Sequence, residues 1–584
     1  MKGSANTHRM ATTRPLFHLR STGEPLTTGG TAEYKNQGGT SQSQPLALAI
    51  LVGLYSLSYS LLLLNHGVFW DDWIWMHLDR GSQLQMGEQI GYSLLGPLDR
   101  VLLHMGVETC RWIVFLSYLA ASVALFKTLC HLPKLDNQKR LYLALLFAVF
   151  PVNSARIALS DIHYAIAYGV FFVGLLLFSE FTDRGGVWLR LSSLLLIGLA
   201  SYVVNSLLFF CILVPALFLY VRSGYSSVHA AVSRLKQIPD FILLPPVVYA
   251  LKQLYKPFGL YAHYNEVTFH SVAHTPLAIG SAFYRSFLLV IAHAVRVSLT
   301  AWPALAAIIL LVLCIGWILR SSLAAGAHSS RELVVTPGTP DVKTCLFNLL
   351  FGALIFTLGV MPYDLVSKYP SLPDWNSRHQ LLIPLGAAWM LVYGLDLLFA
   401  RWRAGVVYVL AALIAMFILN NIDNLAQFQK DTYKQNSLLR HFASDPAIRQ
   451  GTSFFVDDQA YSLDANQRKY RFYEYAGMFD EVFGEQRRFA IGLNDAGSLT
   501  EVTGLLSTCS SCYLLGQFKV LQPDRVIHIS PGLYHLDAAH LVRLMIDERT
   551  NAPRYEQEIW NVVRVQVAAY PAAAPLSGTS SLPE

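Results

Sequence analysis

Charged residues are scarce in this sequence of 584 residues. Asp, Glu, Lys and Arg make up 14% of it, against about 25% in an average soluble domain, while 53% of the residues are hydrophobic. This composition excludes a disordered chain, a coiled coil and an ordinary soluble enzyme. The formal net charge is +6, but the basic residues form no arginine-rich stripe and no RNA-binding signature, so we expect no nucleic-acid partner.

Cysteines and catalytic motifs are also few. The sequence has seven cysteines, most of which lie in or beside apolar runs, where burial is expected. Cys509 and Cys512 form a Cys-Ser-Ser-Cys pair near the end of the chain, which we interpret as a structural disulfide or two plain thiols. The sequence after Asn421 contains no phosphate-binding loop, nucleophile elbow or metal motif. That part of the chain therefore carries no motif that indicates an activity of its own.

The charge that is present is unevenly distributed. Residues 422–584 contain 15 basic and 19 acidic residues in 163 positions, whereas the other 48 charged residues are spread over the first 421 positions. We therefore predict a transmembrane domain over 45–421 and a soluble domain over 422–584. Residues 1–44 are polar and rich in Gly, Ser and Thr, and they cannot bury enough apolar surface to fold alone, which predicts a disordered tail.

Apolar runs recur through the first 421 residues, and a helix that crosses a bilayer needs roughly 20 such residues. We predict about eleven transmembrane helices, near 45–64, 109–130, 140–153, 164–180, 187–204, 205–221, 239–255, 301–319, 344–362, 380–400 and 404–421. The apolar stretch 284–300 contains Arg285, His293 and Arg296. We interpret it as an interfacial amphipathic helix, with a twelfth span as the alternative.

Charge asymmetry predicts the orientation, because short cytoplasmic loops are enriched in Lys and Arg. With eleven spans, four basic loops fall on the same side as the tail, which has a net charge of +3. The loop 65–108 has six acidic and two basic residues and falls on the other side. We therefore expect a multi-pass protein of a bacterial-type cytoplasmic membrane, with a cytoplasmic N-terminus and an extracytoplasmic C-terminal domain.

The soluble part alternates strand-like and helical runs. The pattern predicts strands at 453–456, 489–491, 512–515, 526–529 and 562–565, and helices at 470–483 and 538–547. The fold class expected is thus a polytopic α-helical membrane protein with a C-terminal α/β domain.

The most informative stretch, Phe69-Trp70-Asp71-Asp72-Trp73, follows the first span directly. Two adjacent carboxylates at a membrane boundary are costly to place and should face water, a cavity or a cationic partner. The other interpretation is a helix N-cap at Asp71 or Asp72 within a belt of interfacial tryptophans.

The order of features along the chain resembles the GT-C superfamily of integral membrane glycosyltransferases. Its members have a first span, a long outer loop that opens on paired acidic residues, many further spans and a terminal outward domain. They take sugars from polyprenyl-phosphate or polyprenyl-diphosphate donors. An acidic residue of their first outer loop is the catalytic base or positions the acceptor, and Asp71 and Asp72 match that position. The resemblance covers roughly 46–421 as topology and implies a GT-C-like catalytic domain.

The expected chemistry assigns roles to individual side chains. A sugar hydroxyl that attacks an anomeric carbon needs a carboxylate to take its proton, so Asp71 and Asp72 are the predicted catalytic residues of an inverting transfer. The leaving phosphate is anionic and needs fixed cations or hydrogen-bond donors. The residues predicted to bind it are Arg378, His379 and Arg156. We favour Arg378, because a guanidinium matches phosphate oxygens in a bidentate manner, and the alternative is an arginine that anchors a helix end.

Other residues of the outer loops are predicted to contact the substrates. They are Asn153, Asp161, His163, Lys256 and Tyr264. We predict no metal or other cofactor. Some GT-C enzymes with diphosphate donors need a divalent cation, and Asp71 and Asp72 could supply oxygen ligands to one, but monophosphate-donor members usually do without it.

The partners that the resemblance implies are a polyprenyl-phosphate sugar donor, a glycan, lipid or protein acceptor, and membrane lipids. One alternative is a polysaccharide polymerase or ligase acting on lipid-linked glycans, which would rely on Arg and His residues of the outer loops without needing the acidic pair. A second is a lipid or glycan transporter. We disfavour a transporter, because the sequence has no internal repeat and its ionisable residues cluster at the ends of spans.

Overall fold

The computed structural model describes most of the chain. The described residues are 43–91, 96–133, 135–221, 228–263, 265–300, 302–329, 342–370, 375–400, 402–485, 487–495, 502 and 523–570. Outside them lie residues 1–42 of the predicted tail 1–44, the predicted substrate contact Tyr264, the cysteine pair Cys509 and Cys512, and the predicted strand 512–515.

Helices form most of the described chain up to residue 444. They are α1 (Ser43–Tyr59), α2 (Asp72–His77), α3 (Arg80–Ile90), α4 (Gly96–His104), α5 (Val107–Cys130), α6 (Asn137–Val149), α7 (Ile162–Arg184), α8 (Val187–Val203), α9 (Leu207–Phe210), α10 (Leu213–Val221), α11 (Val228–Leu235), α12 (Pro239–Lys252), α13 (Phe269–Phe283), α14 (Leu289–Leu299), α15 (Trp302–Ser329), α16 (Val342–Asp364), α17 (Ile383–Leu398) and α18 (Arg403–Ser444).

Six helical segments of the described chain are long and apolar enough to cross a membrane. They are Gln44–Leu64, Val107–Cys130, Ile162–Arg184, Phe269–Leu299, Val342–Asp364 and Gly405–Ser444. Shorter apolar helices lie at Val187–Val203, Leu207–Val221, Leu305–Arg320 and Ile383–Leu398. The prediction of a polytopic helical membrane protein is confirmed in this form, while the count of about eleven spans stays a prediction.

Two segments differ from the predicted spans. The stretch 284–300, interpreted from its charges as interfacial, is the second half of a continuous helical segment, Phe269–Leu299, joined to the first half by a π-helical turn over Tyr284–Leu288. This segment of 31 residues is long enough to cross. The predicted span 205–221 is instead interrupted, because α9 has four residues and a break precedes α10.

The soluble part is built on a small sheet. After α18 come α19 (Pro446–Gln450), β1 (Ser453–Asp458), α20 (Phe472–Phe483), β2 (Phe489–Gly492), β3 (Arg525–Pro531), α21 (Ala538–Thr550), α22 (Ala552–Trp560) and β4 (Val563–Ala569). The strand order is β2-β1-β3-β4, with β1 parallel to both neighbours and β3 antiparallel to β4. These strands and helices α20 and α21 lie where the alternation of the sequence predicts them.

Helix α18 connects the two parts of the protein without a break. It has 42 residues and passes through the predicted domain boundary at 421/422. Its first half packs in the core of the membrane helices, through residues such as Leu410 and Ile418, and its second half packs in the core of the soluble domain, through Tyr433 and Phe442. The soluble domain is therefore built on the end of a helix that begins in the apolar bundle.

The loop after α1 also belongs to both parts. Trp73, on α2, is 3% exposed and lies in the same apolar core as Phe479 of the soluble domain. Gly477 on α20 makes this packing close, because a Cβ atom at that position would lie 2.8 Å from Cε3 of Trp73. The first loop and the C-terminal domain therefore form one packed unit.

Candidate active site

The chain directly after α1 is fixed from two sides. The Asn65 amide donates to the side chains of Gln429 and Thr432 on α18, at 3.0 Å each. Arg111, buried on α5, donates to the backbone carbonyls of Asn65 and Gly67 at 3.4 and 2.8 Å. The acidic pair that follows therefore stands on a segment that both α5 and α18 hold in place.

Asp72 is a structural residue by its contacts. Its Oδ1 accepts a hydrogen bond from the backbone N–H of Ser160 at 2.8 Å, and its Oδ2 accepts from those of Leu159 and Phe69 at 2.9 and 3.3 Å. The residue is fully buried, and this burial raises the pKa of Asp72 to about 6 although the backbone hydrogen bonds act to lower it. Its carboxylate ties the first loop to the segment before α7.

Asp71 differs from its neighbour in its hydrogen bonds and in its exposure to a cavity. It occupies the N-cap position of α2 but makes no capping hydrogen bond, and its side chain lines a large cavity. Its Oδ1 accepts a hydrogen bond from the hydroxyl of Tyr473 at 3.1 Å. Burial raises the pKa of Asp71, while the charges of Arg378 and Arg471 and the Tyr473 hydrogen bond act to lower it.

The cavity has a volume of about 720 Å³ and lies between the first loop and the C-terminal domain. This volume lies within the range of small-molecule binding pockets. From the first loop and the membrane part it is lined by Trp70, Asp71, Ile74, Trp75, Met86, Ile90, Asp99, Ser160, Asp161, His163, Tyr164, Tyr261, Trp375 and Arg378. From the C-terminal domain it is lined by Ala465, Asn466, Arg468, Lys469, Tyr470, Arg471, Phe472, Tyr473, Ile491, Gly492 and Val502.

Asp161 brings a second carboxyl group to the cavity. It lies at the N-cap position of α7 without a capping hydrogen bond, and its Oδ2 is buried with no hydrogen-bond partner among the described residues. Burial raises the pKa of Asp161 to about 7, and the charges of Arg378 and His163 act in the opposite direction. His163 in turn lies 3.3 Å from the carboxylate of Asp99, which α4 supplies. The sequence predicted Asp161 and His163 as substrate contacts, and both line the cavity.

Arg378 reaches the cavity from the segment before α17. Its guanidinium lies 4.0 Å from the ring centroid of Trp375 and donates to the carbonyl oxygen of that residue at 3.2 Å. The adjacent Ser377 hydroxyl bonds the Ser154 hydroxyl at 2.9 Å and accepts from the backbone N–H of Ala155 at 2.8 Å. The segment that carries Arg378 is thus fixed on the segment before α7.

An extended segment of the C-terminal domain, 468–471, forms the opposite wall. Arg468 is held between Asp431 of α18, at 2.9 Å, and Glu474, at 2.6 Å. Glu474 also accepts from the backbone N–H of Trp70 at 3.2 Å, which links this wall to the first loop. Trp70 adopts the left-handed φ of 51°, a strained conformation for a residue with a large side chain. The two walls are joined at the acidic pair itself.

Two predicted site residues point away from this cavity. Asn153 and Arg156 line a separate, small cavity in the helical core. The Asn153 amide donates to the hydroxyl of Tyr118 at 3.1 Å, and the Arg156 guanidinium lies 4.0 Å from the ring centroid of Tyr59. Both residues follow α6, where a short 3₁₀ helix over Ser154–Ile157 directs the side chains into the bundle.

The remaining predicted residues are also outside the cavity lining. His379 is 4% exposed and packs on Tyr363, with ring centroids 4.8 Å apart. Burial, together with the charges of Arg378 and Lys368, lowers the pKa of His379 to about 2, so its ring is neutral. Lys256 is exposed after α12. The predicted phosphate and substrate contacts of these residues stay predictions.

The sequence did not identify the residues of the C-terminal wall. Lys469, Arg471 and Tyr473 lie about 400 positions from Asp71 along the chain, since the Tyr473 bond to Asp71 spans 402 residues. One local signal was available, because Arg468-Lys469-Tyr470-Arg471 places three basic residues in four positions. A basic run in an acidic domain is more often a solvated face, and nothing in the sequence sets it opposite the acidic pair.

The arrangement can accept a proton and hold an anion at neighbouring points. Asp71 is a carboxylate at the edge of a cavity, and Arg378 is a cation close enough to influence its pKa. Within the described ranges, no group of three or more His, Cys, Asp or Glu side chains is placed to hold a metal ion. Comparison of the sequence with protein-family models and with curated proteins gave no match.

Proposed function

We propose that the protein is a membrane glycosyltransferase of the GT-C type. It would transfer a sugar from a polyprenyl-phosphate-linked donor to an envelope glycan, glycolipid or protein, with inversion at the anomeric carbon. The observation that carries the proposal is the cavity in which Asp71, at the start of the first loop, meets Arg378 and Asp161. An apolar helical bundle that ends at a cavity with these groups suits a donor that has a lipid tail and an anionic leaving group.

The reaction assigns a separate task to each wall residue. The acceptor hydroxyl gives its proton to Asp71 while its oxygen forms the bond to the anomeric carbon. The bond from that carbon to the phosphate oxygen breaks, and the electron pair leaves with the polyprenyl phosphate. Arg378 balances the charge that develops on the phosphate. The Tyr473 hydroxyl, which donates to Oδ1 of Asp71, leaves Oδ2 for the incoming proton.

Asp71 is the base in this proposal, and Asp72 holds the loop. All three hydrogen bonds of the Asp72 carboxylate go to backbone N–H groups, and its side chain does not line the cavity. A carboxylate that is enclosed in this way cannot reach an acceptor without unfolding its surroundings. The acidic pair therefore divides into one reacting residue and one positioning residue.

The proposed location is a bacterial-type cytoplasmic membrane with the cavity on its extracytoplasmic side. The C-terminal domain packs on the first loop, through Tyr473 on Asp71 and through Trp73, so both lie on the same side. This requires an odd number of crossings before α18 ends. Tyr261 and Trp375 line the same cavity, so an even number of crossings separates them. If Phe269–Leu299 crosses, one of the predicted spans 301–319 and 344–362 does not, and the total returns to eleven.

A polymerase or ligase that joins lipid-linked glycans is the second candidate. Arg378 and His163, the residue types on which such enzymes rely, both line the cavity. The two functions differ in their need for Asp71. A ligase that uses only Arg and His would tolerate its loss.

The test is sugar transfer by the purified full-length protein in lipid nanodiscs, with a panel of polyprenyl-phosphate monosaccharides and radiolabelled sugar. We expect Asp71→Asn to reduce transfer about 10²- to 10⁴-fold, as for loss of a general base, and Arg378→Ala to raise the KM for the donor. Glu88→Gln, an exposed residue of the same loop that does not line the cavity, is the matched control. Full transfer by a folded Asp71→Asn protein would refute the assignment of the base.

A further inference from the structure

The two walls of the cavity carry opposite charge. Among the described lining residues, the first loop and membrane part supply the carboxyl groups of Asp71, Asp99 and Asp161, with Arg378 as their cation. The C-terminal domain supplies Arg468, Lys469 and Arg471 and no carboxyl group. This is unexpected for a domain in which acidic residues outnumber basic ones, and it indicates a local purpose for the basic wall.

The extended backbone directs the Arg468 side chain to the interior of the domain and those of Lys469 and Arg471 to the cavity. Side chains alternate between the two sides of an extended chain. Arg468 and Tyr470 point inward, and both bond Asp431, with the guanidinium at 2.9 Å and the hydroxyl at 2.5 Å. Lys469 and Arg471 are exposed and line the cavity. Burial of Arg468 between two carboxylates fixes the segment, so two further cations are presented to the cavity.

Cations of both walls influence Asp71. The charges of Arg378 and Arg471 both act on its pKa. Arg378 precedes α17, an apolar helix, and is therefore placed for a phosphate whose lipid tail lies in the bilayer. Lys469 and Arg471 belong to a domain outside the apolar bundle. An anion bound to them would be held by the soluble domain, whereas the donor phosphate would be held beside the membrane helices.

We propose that Lys469 and Arg471 bind an anionic group, a phosphate or a carboxylate, of the acceptor. This rests on the proposed glycosyltransferase function, and it names the class of acceptor: a glycan or lipid that carries negative charge close to the hydroxyl that is glycosylated. Two cations two residues apart on an extended segment have Cα atoms separated by about 6.6 Å, a spacing at which both side chains can contact one such group. Charge-assisted contacts of this kind both bind and orient the acceptor.

Anion binding can be measured without any sugar transfer. Three tryptophans, Trp70, Trp75 and Trp375, line the cavity, so their fluorescence reports on occupancy. The full-length protein in detergent is titrated at constant ionic strength with inorganic phosphate in one arm and glucuronate in the other, which distinguishes a phosphate from a carboxylate ligand. All titrations are made in an Arg378→Ala background, so that the donor's cation does not contribute.

We expect Lys469→Ala/Arg471→Ala to weaken binding of the preferred probe about tenfold. Arg549→Ala/Arg564→Ala removes two exposed charges of the same domain that do not line the cavity, and it should leave binding unchanged. If the double alanine variant is poorly folded, Lys469→Glu alone replaces it, with the same expected direction. Equal binding by the control and by the wall variants would overturn the proposal.

The outcome is separable from that of the proposed function. Loss of probe binding in the wall variants, together with no transfer from any polyprenyl-phosphate sugar, would support the anion site and refute the glycosyltransferase. Transfer that depends on Asp71, with probe binding indifferent to Lys469 and Arg471, would support the enzyme and refute the anionic acceptor. If both proposals are correct, the variants of Lys469 and Arg471 should raise the KM for the acceptor and leave the KM for the donor unchanged.

Discussion

The acidic and basic walls of the cavity place charge in different ways. On the acidic wall, burial raises the pKa of Asp71 and that of Asp161, because it disfavours the charged form of each carboxyl group. On the basic wall, Lys469 and Arg471 remain exposed, and the buried Arg468 is neutralised by two carboxylates. In the proposed reaction, the membrane side supplies the base and the cation for the donor phosphate, and the soluble side supplies the cations for the acceptor.

The largest expected effect on stability comes from removing Trp73, which packs the first loop against the C-terminal domain. Trp73→Ala removes a buried indole from the core shared by α2 and the C-terminal domain, and we expect a loss of about 3–5 kcal/mol in the free energy of unfolding of that domain. Denaturant titration with limited proteolysis of the C-terminal domain measures it. Trp188→Ala, at a position 82% exposed, is the control. Equal stability of the two variants would mean that the first loop does not hold the domain.

Asp72→Asn tests whether the buried acid of the pair is structural. An amide nitrogen would face one or more of the three backbone N–H groups that the carboxylate now accepts, so we expect a loss of about 1–3 kcal/mol in stability. The measurement is the shift in thermal unfolding, compared with Asp71→Asn. A lower stability of Asp71→Asn than of Asp72→Asn would contradict the structural role of Asp72.

The Tyr473 hydroxyl of the basic wall donates a hydrogen bond to Asp71, the proposed base on the acidic wall. Because this bond acts to lower the pKa of Asp71, Tyr473→Phe should raise that pKa and move the acid limb of the pH–rate profile to higher pH. Loss of one hydrogen bond of this kind corresponds to about tenfold slower transfer at pH values below the pKa of Asp71. Unchanged profiles for Tyr473→Phe and wild type would show that Tyr473 has no role in setting the base.

The smallest effect concerns the titration of the acidic wall. The pKa of Asp161 is raised to about 7, and the groups that act on it are Arg378, His163, Asp71 and Asp72. As pH rises through this value Asp161 becomes negative and competes with the donor phosphate for Arg378. We expect the KM for the donor to rise about two- to fivefold between pH 6 and 8, and to stay flat in Asp161→Asn. A parallel rise in both proteins would contradict this assignment.

The sequence predicted the parts of the site that local patterns encode. Asp71 follows an apolar run and stands beside tryptophans, and Arg378 and Asp161 precede apolar helices. The hydropathy of the sequence alone therefore predicts that all three lie at the ends of spans. It could not distinguish Asp71 from Asp72. That distinction depends on the backbone N–H groups of Leu159 and Ser160, which are 87 and 88 positions away.

Side-chain direction at irregular junctions was equally beyond the sequence. Asn153 and Arg156 were expected in the substrate site because they follow a span, yet a 3₁₀ turn aims them at tyrosines of the core. No periodicity governs such a turn. Among the strands, by contrast, β1 and β3 lie close to the predicted bounds, because apolar runs of four to seven residues between turns are a sufficient signal.

The unbroken helix α18 has a mechanical consequence. With 42 residues it is about 63 Å long, and Asp431, which binds Arg468 and Tyr470, lies about two thirds of the way along it. A rod of this length acts as a lever, so that a tilt of about 5° at its membrane end displaces the other end by about 5 Å. The first loop is anchored to the same helix, through Gln429 and Thr432 beside Asp431, so both walls follow its movement together. A change in the tilt of α18 therefore moves the cavity as a whole and leaves its width unchanged.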